Sequence, residues 1–184
     1  MELYIIRHTP VNLEKGICYG QSDVGLNKAD LEKYLSIYKE ELAVDFDAII
    51  SSPLKRCTQL AEVLGFDDYQ MDHRLMEMNF GDWELKKWNE IPLEESENWM
   101  NNFDSVSTPN GESMLQLFNR VNSFYQELKQ YNHQKVLIVA HAGVIRCFWK
   151  IILEISLKNT MKIPVDYGEI FIIDSTFDMI KRKK

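Results

Sequence analysis

A chain of 184 residues, 45% hydrophobic and 27% charged, has the composition of a globular protein with a substantial core. Its net charge of −7 excludes a broad electrostatic affinity for nucleic acid or for an anionic membrane surface; an anionic substrate would need a local basic pocket in an acidic body. No segment reaches the roughly 18 apolar residues of a membrane span, and the opening MELYIIRH has no basic-then-apolar leader.

In chain order, a short apolar run at 3–6 predicts a buried strand that ends abruptly in Arg7, His8, Thr9 and Pro10. A helix is predicted over 28–42, with Asn27 as its cap. A second strand at 46–50 leads into SSPLKRC, where Ser52 is a suitable cap and Pro53 a suitable first residue for a helix over 53–64. Residues 83–108 hold three of the four tryptophans, many Glu and Asn, and no strand pattern. They read as an insertion packed over one end of the sheet. A helix over 112–131 is expected from the spacing of Leu115, Phe118, Val121, Tyr125 and Leu128. Asn110 or Gly111 would start it, and Glu112 would complement its dipole. A third strand at 136–140 runs through HAGVIR into a helix over 144–157, and a fourth strand lies at 170–173. The closing Lys181-Arg182-Lys183-Lys184 reads as a solvated, frayed tail. Alternating strands and helices predict an α/β sandwich with a mainly parallel sheet, in a single domain over 1–184. Cys18, Cys57 and Cys147 are odd in number and far apart, which points to reduced thiols in a soluble, cytoplasmic protein.

The chemistry lies at the strand ends. In open α/β sheets ligands bind outside the carboxyl ends of the strands. Three strand ends deliver Arg7, His8, Arg56 and His141 toward what would be one cleft. Taken alone, Arg56 reads as a surface arginine of an amphipathic helix, and either histidine as a satisfied structural group. Together they would be costly to bury without an anion, and arginine does not shed its proton. The expected ligand is therefore a phosphate group, with at least one histidine neutral. Metal ligation is disfavoured, because the guanidinium charges would repel a divalent cation and no HxH, HxxE or carboxylate cluster adjoins either histidine. Phosphoryl chemistry also needs a proton donor for the leaving group. In HRLMEMNFGDWE, Glu77 stands between Met76 and Met78, an apolar setting suited to an acid catalyst. Asp82 and Glu84 are the alternatives, and spacing does not choose among the three.

Four fragments in order, LYIIRHT, SSPLKRCTQLAE, RLMEMNFGDWE and VLIVAHAGVIR, resemble the histidine phosphatase superfamily, which has the phosphoglycerate-mutase-like fold. The resemblance implies a three-layer α/β/α sandwich. It makes His8 the nucleophile, Arg7, Arg56 and His141 the groups that hold the phosphoryl oxygens, and Glu77 the proton donor. No metal or organic cofactor is implied. Thr9 stands where the signature usually has glycine, and its hydroxyl is a possible further phosphate or backbone contact. Glu14 stands where many members have a phosphate-binding asparagine. With GICYGQSDVGL just downstream, these departures resemble the α-ribazole-5′-phosphate phosphatase branch of cobalamin nucleotide-loop synthesis. By position, Tyr19 and Gly20 would line the substrate entrance, unless Tyr19 to Ser22 is only a turn, and Ala142 would complete the substrate contacts. Trp83, Trp88 and Trp99 would either stack on an aromatic base or anchor an apolar cover. Arg120 would either reach back toward the site or form a structural ion pair. Mutases of the superfamily usually carry a longer insertion than this chain has room for, so hydrolysis of a small phosphate monoester is expected. Another sugar phosphate or nucleotide as substrate, mutase transfer, and a non-catalytic phosphate-binding role are the competing readings.

Overall fold

The computed structural model of the chain describes residues 1–175 and 179–183. Six strands, β1 (Glu2–Arg7), β2 (Ala48–Ser51), β3 (Gln70–Met71), β4 (Lys135–Ala140), β5 (Ile170–Asp174) and β6 (Met179–Lys183), form one sheet in the order β3-β2-β4-β1-β5-β6. The pairs β1–β4, β4–β2 and β2–β3 are parallel, and β5 runs antiparallel to β1. Helices are α1 (Lys28–Glu41), α2 (Lys55–Val63), α3 (Leu93–Asn102), α4 (Met114–Leu128), α5 (Ala142–Leu153) and α6 (Leu157–Thr160).

The strands read as continuous apolar runs because helices cover both faces of the sheet. Alternate side chains divide between two cores. Leu3, Ile5, Val136 and Ile138 pack with Leu117, Val121 and Phe148 of α4 and α5. Tyr4, Ile6, Leu137 and Val139 pack with Leu31, Tyr38 and Leu60 of α1 and α2. This is the expected α/β/α sandwich. Burying each such side chain contributes about 1.5–3 kcal/mol.

Several element ends differ from expectation for identifiable reasons. Asn27 caps α1 as expected, its side chain accepting from the Ala29 and Asp30 amides. Ser52 does not cap α2, whose cap residue is Leu54; the Ser52 hydroxyl is engaged by His141 at 2.7 Å. The α2 end is instead met by Asp23, which accepts from the Lys55 amide at 2.7 Å. Helix α4 begins later than Asn110 or Gly111, because Asn110 is left-handed (φ 55°) and Ser113 forms a capping box with Gln116. Glu112 therefore lies ahead of the helix, where it accepts from the Asn79 amide and pairs with Arg120. A left-handed Glu154 (φ 53°) ends α5 at Leu153, and Ser156 caps α6 as a separate helix. The basic tail is not frayed at 181–183: these residues belong to β6, which pairs antiparallel with β5 and sets Ile180 against the core. Lys184, the last residue of that expected tail, lies outside the described residues. No helix among the described residues is long and apolar enough to cross a membrane.

Candidate active site

Parallel register brings the strand ends to one level. Arg7 pairs with Ala140 and Ser51 with Val139, so β1, β4 and β2 finish together at their carboxyl ends. The His8 amide then donates to the Ala140 carbonyl at 3.0 Å, and the His8 and His141 rings stand 5.1 Å apart. Arg56, in the first turn of α2, is fully buried beside them. Its Nε donates to His141 Nδ1 (3.2 Å), and its two terminal nitrogens donate to the carbonyls of Ser22 (3.0 Å) and Gly20 (2.5 Å).

These contacts assign both tautomers. A guanidinium can only donate, so His141 Nδ1 accepts, and Nε2 carries the proton that it donates to Ser52 Oγ. His8 Nδ1 donates to the Thr9 carbonyl at 2.8 Å, which leaves His8 Nε2 with its lone pair free. Burial, with the positive charges of Arg56 and Arg7, holds the pKa of His8 well below the usual histidine value, against a smaller opposing pull from the Thr9 carbonyl. Burial and Arg56 do the same to His141. Both rings are neutral at physiological pH.

Arg7 is held from the loop ahead of β5, a strand that runs antiparallel to β1 and so begins at the same edge. It donates to the Val165 carbonyl (2.7 Å) and the Tyr167 hydroxyl (3.1 Å), with its guanidinium carbon 3.9 Å from the Tyr167 ring centre. Tyr38 ties this loop to the strand end, donating to the Arg7 carbonyl and accepting from the Gly168 amide.

Glu77 reaches the same place from the loop ahead of α3. Its carboxylate accepts from its neighbour's amide, Met78, at 2.9 Å and from the Gly143 amide in the first turn of α5 at 3.1 Å. A Cβ at Gly143 would stand 2.2 Å from Glu77 Oε1, so only glycine admits the carboxylate there. Arg120 fixes the Glu77 backbone, pairing with Glu112 at 2.9 Å and donating to the carbonyls of Arg74, Met76 and Glu77. It thus makes a structural ion pair and also reaches back to the site. The alternative carboxylates are occupied elsewhere: Glu84 accepts from the Gln21 and Ser22 amides, and Asp82 accepts from the Asn110 side chain.

A cavity of about 460 Å³ opens on this cluster. Arg7, His8, Tyr19, Glu77 and Ala142 line it, while Arg56 and His141 lie buried behind His8. Thr9 and Gly20 do not reach its wall. Thr9 is fully buried, with its carbonyl bound to His8 and its hydroxyl without a hydrogen-bond partner among the described residues. Gly20 is packed so that a Cβ would fall 2.0 Å from the Met78 carbonyl, and its own carbonyl receives Arg56. Glu14 is remote and exposed, paired with Lys87 at 3.5 Å. Of the tryptophans, Trp83 is buried and donates to Glu95 at 3.1 Å, which makes it an anchor. Trp88 and Trp99 stack on each other 6.1 Å apart and line the cavity. Sequence reasoning missed Tyr167 and Arg146. The signal for Tyr167 is topological: the loop ahead of an antiparallel strand meets the carboxyl ends of its parallel neighbours.

A family model for the histidine phosphatase superfamily (branch 1) matches residues 3–181. A candidate phosphoserine phosphatase of Hydrogenobacter thermophilus is 33% identical over 172 residues, covering 89% of this chain and 84% of that protein. The adenosylcobalamin/alpha-ribazole phosphatase of Escherichia coli K12 is 28% identical over 177 residues, covering 91% and 87%. The crystal structure of the alpha-ribazole phosphatase from Shigella flexneri superposes with a TM-score of 0.89 at 25% identity, covering 100% of this chain and 95% of that one.

Proposed function

The chain belongs to branch 1 of the histidine phosphatase superfamily, and we propose that it hydrolyses a small phosphate monoester through a phosphohistidine on His8, with α-ribazole 5′-phosphate as the substrate. The observation that carries this reading is that a neutral His8, its Nε2 lone pair free, lines with Arg7 and Glu77 a cavity whose remaining lining is largely apolar and aromatic.

In the first step His8 Nε2 attacks phosphorus, the bond to the ester oxygen breaks, and Glu77 gives its proton to the departing alkoxide. Arg7 takes phosphoryl oxygens at the cavity wall. The buried Arg56 charge and His141, directly behind, add to the stabilisation of the charge that spreads over those oxygens. In the second step Glu77, now a carboxylate, takes a proton from water as the water attacks phosphorus. The P–N bond breaks, phosphate leaves, and His8 recovers its lone pair. Segment 83–108 covers the site, with Trp83 as its anchor and Trp88 and Trp99 facing the benzimidazole of α-ribazole. A role in cobalamin nucleotide-loop assembly and a cytoplasmic location accord with this substrate and with three buried free thiols.

The alternative with most support is O-phosphoserine, because the relative at 33% identity is a candidate phosphoserine phosphatase. A turnover panel of α-ribazole 5′-phosphate, O-phosphoserine and 3-phosphoglycerate decides among them by kcat/KM. Rapid quench should trap phosphohistidine in the native protein and none in His8→Ala, which should stay folded and lose turnover. Retained activity in His8→Ala would overturn the mechanism, and a folded protein inert on every ester would leave phosphate binding alone.

A further inference from the structure

Gly143 and Arg146 stand three residues apart on α5, on one face of the helix. The first holds Glu77 through its amide, and the second lines the cavity beside Glu77, Arg7 and His8. The other three charged or titratable groups in this set have protein partners: His8 has the Thr9 carbonyl, Arg7 has Val165 and Tyr167, and Glu77 has two amides. Arg146 makes no hydrogen bond or ion pair with any described residue, and its Nε is buried without an acceptor. A guanidinium keeps its charge, so withdrawing it from water without an acceptor is costly. Arg120, which does have a structural role, shows what such a role supplies: a carboxylate and three carbonyls. Nothing comparable is built around Arg146 among the described residues.

Arg7 and Arg56 already serve the phosphoryl end, so Arg146 is left to face the rest of the substrate. Glu77 is its acidic neighbour. With the Glu77 proton committed to the ester oxygen, a leaving-group carboxylate at Arg146 would offer only acceptors to the Glu77 oxygens, whereas a hydroxyl can accept from the guanidinium and donate to them. We infer that Arg146 is a specificity-determining residue, whose guanidinium donates to a ribose hydroxyl or ring oxygen of the leaving group. The inference rests on the phosphomonoesterase reading above and adds to it the group that selects a sugar phosphate.

The test compares Arg146→Met and Arg146→Lys with the native chain on four esters. α-Ribazole 5′-phosphate and ribose 5-phosphate carry the sugar oxygens, benzyl phosphate lacks them, and O-phosphoserine carries a carboxylate. Arg146→Met should lose at least about tenfold more kcat/KM on the sugar phosphates than on benzyl phosphate, chiefly through KM. Arg146→Lys should recover part of that difference, because it keeps a donor and a charge. An equal loss on sugar phosphates and benzyl phosphate would overturn the inference, since Arg146 would then serve the phosphate or the fold. The largest loss on O-phosphoserine would also overturn it, in favour of a carboxylate. A native chain inert on all four esters would refute the phosphatase reading itself, and the inference with it. Activity on ribose 5-phosphate but not on α-ribazole 5′-phosphate would refute only the named substrate.

Discussion

Glu77 lies close against Gly143, and Gly143→Ala perturbs that approach by a single methyl group. The new Cβ would lie 2.2 Å from Glu77 Oε1, 3.2 Å from its Cδ and 2.9 Å from Leu117 Cδ2. Ordinary contact then requires the carboxylate to retreat by about 1 Å. Overpacking of this kind costs about 1–3 kcal/mol, while replacing a helical glycine by alanine returns up to about 1 kcal/mol. The net loss of stability is therefore at most about 3 kcal/mol, a fall in Tm of no more than about 12 °C for a chain of this size. The effect on turnover is much larger. A displacement of about 1 Å of a catalytic group costs on the order of 100-fold, and general acid catalysis is itself worth about 100- to 10,000-fold. For an alkyl phosphate we expect kcat/KM to fall about 100-fold, equivalent to about 2.7 kcal/mol. With p-nitrophenyl phosphate, whose leaving group needs little proton assistance, the fall should be about tenfold or less. Steady-state kinetics on both esters, with a thermal melt of the same preparation, measures all of this. A folded Gly143→Ala protein with native kcat/KM on the alkyl ester would show that the position of Glu77 does not matter, and would refute its role as proton donor.

The same geometry carries two more expectations. The ring resonances of His8 and His141 should show no titration midpoint near 6.5, because burial and the arginines hold both rings neutral in the folded state. Between the lowered native value and about 6.5 the unfolded chain binds protons that the native chain does not, so these residues' contribution to stability is complete above about pH 6.5 and declines as pH falls below it. A midpoint near 6.5 for either ring would contradict the contacts described. Arg120→Met removes one partner of a largely buried pair and leaves Glu112 and three carbonyls short of a donor. It should cost about 3 kcal/mol, or roughly 6–12 °C in Tm, and lower kcat along with it; an unchanged Tm would remove Arg120 from the support of Glu77.

The strands and the polar residues at their ends were legible because apolar runs and the residues that interrupt them are local properties. The run at 3–6 is continuous, as a two-sided sheet requires, and the turn to Arg7 and His8 is visible where it stops. Asn27 was legible as a cap for the same local reason. Element ends that depend on distant partners were not. Ser52 has the residue type of a helix cap, but its hydroxyl faces His141 from the end of β4, and α2 is met by Asp23 instead. The tail from 181 has the composition of a solvated end, yet it extends the sheet because β5 offers an open edge and Ile180 a place in the core. Gly20 could be singled out in sequence but not placed: its role is to let the chain pass against the Met78 carbonyl and present its own carbonyl to Arg56.

Residue types and their order alone determined the α/β class and the convergence of Arg7, His8, Arg56 and His141, because apolar runs and the polar residues that end them are local properties. Only the tertiary structure decided which His8 nitrogen is free, which of Glu77, Asp82 and Glu84 faces the cavity, and that Tyr167 holds Arg7 while Arg146 faces the cavity without a hydrogen-bond partner among the described residues. The His8 contact is with its neighbour Thr9, but the others depend on groups that are dozens of residues apart in the chain and, where they bond, about 3 Å apart in the fold. Spacing along a sequence cannot encode such distances until parallel register and helix packing have set them.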